Sequence, residues 1–255
     1  MVTLSYDGSF MGLLTVIFEI YDSKYDQVEI VSGHKIQNNI FGNIHQVDTQ
    51  IEKADRVIKG LKNLISARAL KQLYDSFLSE DKGVENKLYA YIHYVFSANQ
   101  NIEKDYSNPF VLYVAETAKK VHREKHRMEA FIRFQLTKDQ IYYAICEPDF
   151  NVLPLIKEHF TKRYADQKWL IFDAKRKYGL FYDLEKVEEV QMVFSENINS
   201  VKKISAIFDE HEILYQQLWK NYFKSINIVA RKNTKLHIQH MPKRYWKHLT
   251  EKSIN

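Results

Sequence analysis

Cysteine, proline, glycine and long apolar runs are all scarce in this chain, and each scarcity excludes something. The one cysteine, Cys146, rules out an internal disulfide and a self-contained iron–sulfur cluster, which needs several thiolates. A reducing, cytoplasmic compartment is expected. With 7 Gly and 4 Pro in 255 residues, long flexible linkers are not expected, and the chain reads as one integrated unit. No stretch of about 18 apolar residues occurs, so neither a transmembrane helix nor a membrane partner is predicted. The opening Met-Val-Thr-Leu-Ser-Tyr-Asp lacks the basic-then-apolar plan of a signal peptide. Neither a phosphate-binding loop nor a dinucleotide glycine fingerprint is present. ATP and NAD enzymes of those kinds are disfavoured, and no intrinsic cofactor is predicted.

What the chain has is apolar bulk and unevenly placed charge. Apolar residues make up 45%, with 17 Tyr and 15 Phe, enough for a packed core. The net charge is +5, but residues 181–219 hold three Lys/Arg against eight Asp/Glu, while residues 220–255 hold nine against one. Positive charge gathered late in a chain is an electrostatic footprint for a polyanion.

Periodicity predicts an α+β fold: a helical N-terminal half, an antiparallel β-meander with an inserted helix, and a basic helical C-terminus. Residues 1–108 read as mainly helical, 109–194 as a helix plus antiparallel sheet, and 195–255 as a helix and basic tail. Ser9, Ser66 and Asn108 each stand where a helix N-cap belongs, Asn108 being followed by Pro109. The helix from 109 is expected to reach about 129. Strands are expected at 131–134, 141–145, 169–175, 179–183 and 187–194, and helices at 152–164 and 209–224. A short strand near 226–230 and a Pro242-led helix follow.

Residues 145–183 place polar groups where an ordinary core does not need them. Asn151 reads as the cap of the helix over 152–164. His159 and Arg163 continue that helix's apolar stripe of Val152, Leu155, Ile156 and Phe160, so they point inward or line a cleft. A hydrogen-bonded core histidine and a helix-end arginine complementing the dipole are the plainer alternative. Asp149 ends one strand, and Asp173-Ala174-Lys175 lies on another, with Asp173 and Lys175 on one face. Two carboxylates and a lysine so placed would hold Mg²⁺ or Mn²⁺ in a metal-dependent nuclease; a capping aspartate and a strand-end ion pair are the alternative. Asp149, Asn151, His159, Arg163, Asp173 and Arg176 are therefore the candidate catalytic pocket.

His122-Arg-Glu-Lys-His126 spaces two imidazoles one turn apart, but Arg123 stands where a zinc protease needs glutamate, and a solvated basic face is expected. Arg127 belongs to that face. The C-terminal segment interleaves Arg231, Lys232, Lys235, His237, His240, Lys243 and Arg244 with Tyr245 and Trp246. Cations neutralise phosphates and rings stack on bases, so Arg127, Arg231, Lys232, Lys235, His240, Lys243 and Arg244 are the candidate nucleic-acid contacts. A solvated tail whose rings dock on the core is the alternative. Cys146 reads as a buried, inert thiol.

Several of these stretches resemble a bacterial family described as DNA metabolism or DNA repair proteins, domain of unknown function 4130. They are Tyr6-Asp7-Gly8-Ser9-Phe10, His126-Arg127-Met128 with Phe131-Ile132-Arg133-Phe134, Glu147 to Leu155, His159-Phe160 with Arg163, Trp169 to Asp173 with Arg176, and His240-Met241-Pro242 with Arg244-Tyr245-Trp246. The resemblance implies DNA as a partner and a radical S-adenosylmethionine (SAM) protein as a second one. That enzyme would carry the iron–sulfur cluster and S-adenosylmethionine. It also implies work on damaged or modified bases, because some relatives are fused to a uracil-DNA glycosylase-like domain. It brings no established catalytic residue. The expectation is a DNA-binding repair protein acting with that partner. A nuclease or glycosylase in its own right, or a non-catalytic interaction or RNA-binding subunit, are the alternatives.

Overall fold

The computed structural model describes residues 2–33, 44–98, 101–191, 214, 216–219 and 238–252. It is an α+β fold in two compact units, Met1–His122 and Arg123–Asn255. No helix among the described residues is long and apolar enough to cross a membrane.

In the first unit, β1 (Val2–Tyr6) lies between β2 (Val28–Ser32) and β3 (Ile44–Gln46), all parallel. Helix α1 (Phe10–Asp22) starts where expected, because the Ser9 hydroxyl accepts from Gly12 N at 2.9 Å. Three more helices follow: α2 (Ile51–Leu64), α3 (Ala67–Phe77), capped by Ser66, and α4 (Val84–Ser97). Leu4, Leu13, Leu14, Ile17 and Ile30 pack in one core with Leu61, Leu73, Leu88 and Ile92, all fully buried. Each contributes about 1.5–3 kcal/mol relative to exposure. Strand β3 lies in a stretch whose sequence reads as irregular.

Helix α5 (Pro109–Phe131) begins at Asn108, whose side chain accepts from Phe110 N and Val111 N. The boundary between the units falls inside this helix. It runs past the expected end, because Met128 and Ile132 lie four apart on a buried face and Ile132 N still bonds Met128 O. The strand expected at 131–134 therefore does not form; β4 is only Gln135–Leu136.

The second unit carries a five-stranded sheet, ordered β4-β5-β6-β7-β8. Here β5 is Tyr142–Cys146, β6 Trp169–Asp173, β7 Tyr178–Tyr182 and β8 Val187–Gln191. The meander is not wholly antiparallel: β5 and β6 pair parallel, Cys146 opposite Asp173. Helix α6 (Leu153–Arg163) is the crossover that a parallel pair requires, and it buries Leu153, Ile156 and Phe160. The other neighbours pair antiparallel. The Pro242-led helix is a 3₁₀ turn, Lys243–His248. Of the helix expected at 209–224, only 214 and 216–219 are described, and they are helical; the strand expected near 226–230 lies outside the described residues.

Gly179 faces Phe172 across the β6–β7 pair. A Cβ there would sit 2.8 Å from the Ile171 carbonyl oxygen, which is backbone and cannot swing aside. Gly179→Ala is expected to cost about 1–3 kcal/mol of stability. Urea denaturation checks this, and an unchanged midpoint contradicts the packing described.

Candidate functional site

Parallel pairing brings the C-terminal ends of β5 and β6 together, and the expected polar residues gather there as a brace. Asp173 is fully buried. Its Oδ1 accepts from the backbone N–H of Lys175 (2.9 Å) and of Arg176 (3.1 Å). These bonds turn the chain, so β6 stops at Asp173 and Lys175 lies in the turn, not on the strand face. Arg176 Nη1 donates to Asp173 Oδ2 (2.9 Å) and to the Pro148 carbonyl (3.1 Å). Its Nη2 and the Lys175 ammonium both reach the Asp149 carbonyl, at 3.1 and 3.0 Å. Arg176 thus ties the exit of β5 to the exit of β6.

Asn151 does not cap α6; Val152 occupies the cap position, and the Asn151 side-chain oxygen accepts from the Tyr178 hydroxyl. Cys146 lies beneath this brace, its Sγ 3.6 Å from the Phe172 carbonyl. Burial first, and then the Asp173 carboxylate, push its thiol far above the ordinary range. Burial thus disfavours the thiolate that a nucleophile requires.

A second cluster centres on Glu124 of α5, 1% exposed. Its Oε1 accepts from Asp149 N (3.0 Å) and from the Tyr245 hydroxyl. Its Oε2 lies 3.5 Å from both Arg127 Nη1 and Arg244 Nη2. Arg244 also pairs with Asp149 Oδ2 at 2.6 Å. Burial, and then Glu124 itself, drive the Tyr245 phenol far above its usual range, so it remains a donor. Lys247 pairs with Glu147. Arg127, Arg244 and Lys247, the first two of them candidate nucleic-acid contacts, are therefore each engaged by one of the protein's own carboxylates. Lys243 lies over the Trp246 ring at 5.9 Å, and His240 is exposed. Arg231, Lys232 and Lys235 lie outside the described residues.

The solvated face expected around His122–His126 contains this buried acid. One signal was available: Val121, Glu124 and Met128 recur at i, i+3 and i+7, and all three are buried.

His159 and Arg163 lie elsewhere, on the wall of a cavity of about 880 Å³ that none of Asp149, Asn151, Asp173 and Arg176 lines. The six expected pocket residues thus fall into two sets. The cavity is largely aromatic. Phe134 meets Tyr164 and Phe160 edge-on, with centroids at 5.2 and 5.7 Å, and Phe160 meets Trp169 at 6.3 Å. Trp169 is fully buried, and its indole N–H has no hydrogen-bond partner among the described residues. Arg163 is exposed, its guanidinium 5.8 Å from the Tyr164 ring centre.

Glu129 stands near His159, Oε1 to Nδ1 at 3.9 Å, and is held by Lys125 and His126. Burial works to raise its carboxyl, but these hydrogen bonds and charges outweigh it and hold it below the usual range. Glu251 accepts from Arg133 Nη2 (2.8 Å), Arg133 Nε (3.3 Å) and Trp219 Nε1 (2.9 Å). That carboxylate fixes an arginine and an indole on the cavity wall. Sequence patterning gave no hint of it, because the three residues are far apart in the chain.

The two carboxylates that a metal-dependent nuclease needs, Asp149 and Asp173, are each paired to an arginine. Among the described residues, no group of three His, Cys, Asp or Glu is placed to hold a metal ion.

Residues 82–251 match the family model described as a domain of unknown function, DUF4130. The chain belongs to the DUF4130 family. No curated protein matches it. The DUF4130 match takes in α4, α5 and the whole second sheet, so both polar clusters and the cavity lie within the family domain, and the parallel sheet of the first unit lies before it.

Glu124→Ala would leave the Tyr245 hydroxyl, the Asp149 N–H and the Arg244 guanidinium short of a partner. A loss of about 3–5 kcal/mol in urea unfolding is expected. The pH dependence is a second check. Burial lowers the His248 pKa below its ordinary 6.5, with Glu147 opposing. Below that value the unfolded chain takes up a proton that the folded chain resists, so stability falls as pH drops through it. Comparing unfolding midpoints at about pH 7.5 and about pH 5.5, His248→Asn is expected to show the smaller drop.

Proposed function

We propose that this chain is a DNA-binding protein of DNA repair or metabolism, whose second unit receives one unstacked base in the aromatic cavity. What carries the proposal is that cavity. Its volume falls within the roughly 300–1,000 Å³ of small-molecule sites, and Phe134, Tyr164 and Trp219 offer ring surfaces. Base–aromatic stacking is worth about 1–3 kcal/mol per base and tolerates any base. Arg163, exposed beside Tyr164, meets the attached phosphate. Extruding a base is the route by which repair proteins reach an atom hidden in a duplex.

The resemblance noted from the sequence supports a radical SAM enzyme as partner, acting in the cytoplasm and supplying the iron–sulfur cluster and S-adenosylmethionine. A second reading follows from His159 standing 3.9 Å from Glu129 on the cavity wall: an imidazole and a carboxylate able to act as acid and base in glycosylase-like chemistry.

Trp169 and Trp219 are two of the three tryptophans, so they report on the cavity. Titration with deoxynucleoside monophosphates is expected to quench intrinsic emission, with Arg163→Ala weakening the binding about tenfold. Duplex DNA carrying a mismatch is expected to bind more tightly than matched duplex. Absence of quenching by all four nucleotides, together with no DNA affinity at low salt, overturns the proposal.

A further inference from the structure

The first unit has a groove of about 640 Å³ that plays no part in the reading above. Helix α3 supplies Arg68, Lys71 and Asp75 to it; helix α5 supplies Leu112, Glu116, Lys119 and His122. Ala115 and Ala118 keep the α5 side low, since neither side chain extends past Cβ. Tyr106 and Leu112 are 53% and 40% exposed, large apolar groups left in water on the groove's surface.

The charges are layered. Asp75 is buried, and both its oxygens accept from the Lys71 ammonium at 2.9 Å. The Lys71 side chain is itself 56% exposed, so the positive member of the pair lies outward and the negative member beneath. Arg68 and Lys119 are exposed on the two helices. Glu116 is the one exposed carboxylate among the lining residues. The groove therefore presents cations from both helices and an exposed phenol ring over a small-residue floor.

We propose that this groove holds a single-stranded polynucleotide. Phosphates are met from one side by Arg68 and Lys71 and from the other by Lys119, and a base stacks on Tyr106 against Leu112. A backbone charged at every residue satisfies cations on both helices at once, and a base has the flat face an exposed ring can take up. An acidic peptide would meet the same cations but brings no planar group for Tyr106. The groove shares no lining residue with the cavity of the second unit, and the proposal does not rest on that cavity.

The test is fluorescence anisotropy of labelled oligothymidylate and oligouridylate with the full chain across a salt series, thymidylate against uridylate separating DNA from RNA. Binding of either is expected, weakening linearly in log–log form with salt. The double variant Arg68→Glu/Lys119→Glu is expected to weaken it by about tenfold or more and to make the salt slope shallower by about 1.4, at about 0.7 for each phosphate no longer neutralised. Tyr106→Ala is expected to weaken binding about tenfold with the slope unchanged, and it decides the matter if the double variant fails to fold. Wild-type affinity in the variants, or no binding by the wild type, overturns the proposal. So does equal displacement by an oligoglutamate of matched charge, which would make the groove a dock for acidic protein. All three tryptophans belong to the second unit and none lines this groove, so mononucleotide quenching and the Arg68, Lys119 and Tyr106 variants show the failure of either proposal separately.

Discussion

A carboxylate placed out of water governs the second unit. Removing a charge from solvent costs several kcal/mol unless donors surround it, and Glu124 is surrounded by a backbone N–H, a phenol and two guanidinia. Those donors come from three parts of the chain: α5, the exit of β5 at Asp149, and the 3₁₀ turn bearing Arg244 and Tyr245. None can move far without stranding the charge. The acid therefore acts as a fixed point from which the sheet's exit loop and the C-terminal turn take their positions.

Polar residues in this unit divide by what they face. Asn151, Asp173 and Arg176 are bound to the protein's own groups, namely the Tyr178 hydroxyl, backbone amides and carbonyls, and each other, while the exposed Asp149 carboxylate pairs with Arg244. His159 and Arg163 face an aromatic hollow. The first set fixes the strand ends and the start of α6; the second stands on the last turns of that same helix. A rigid brace at one end of a short helix is how a fold holds side chains at the other end in a repeatable position.

Local chemistry was legible in the sequence, and long-range partnership was not. Ser9, Ser66 and Asn108 were readable as caps because a cap is satisfied within three residues, and each makes that bond. The inward or cleft-lining position of His159 followed from its place on a helical stripe. The parallel pairing of β5 with β6 was hidden, since strand direction depends on where a crossover lands and not on any alternation along the strand. Asn151 looked like a cap by the same local logic and was drawn off by Tyr178, a residue that only the sheet brings near. The basic C-terminal turn showed its charge in the sequence but not the carboxylates that engage it, because Glu124, Glu147 and Asp149 are all more than ninety positions earlier.

Tyr245 stands 121 positions after Glu124, and Glu251 stands 118 after Arg133. A ribosome adds about 5–20 residues per second, so during synthesis Glu124 waits on the order of ten seconds for its phenol. Through that interval Glu124 lacks one of the donors that offset its burial. The bonds that tie the C-terminal turn to α5 are therefore among the last this fold can make as the chain emerges.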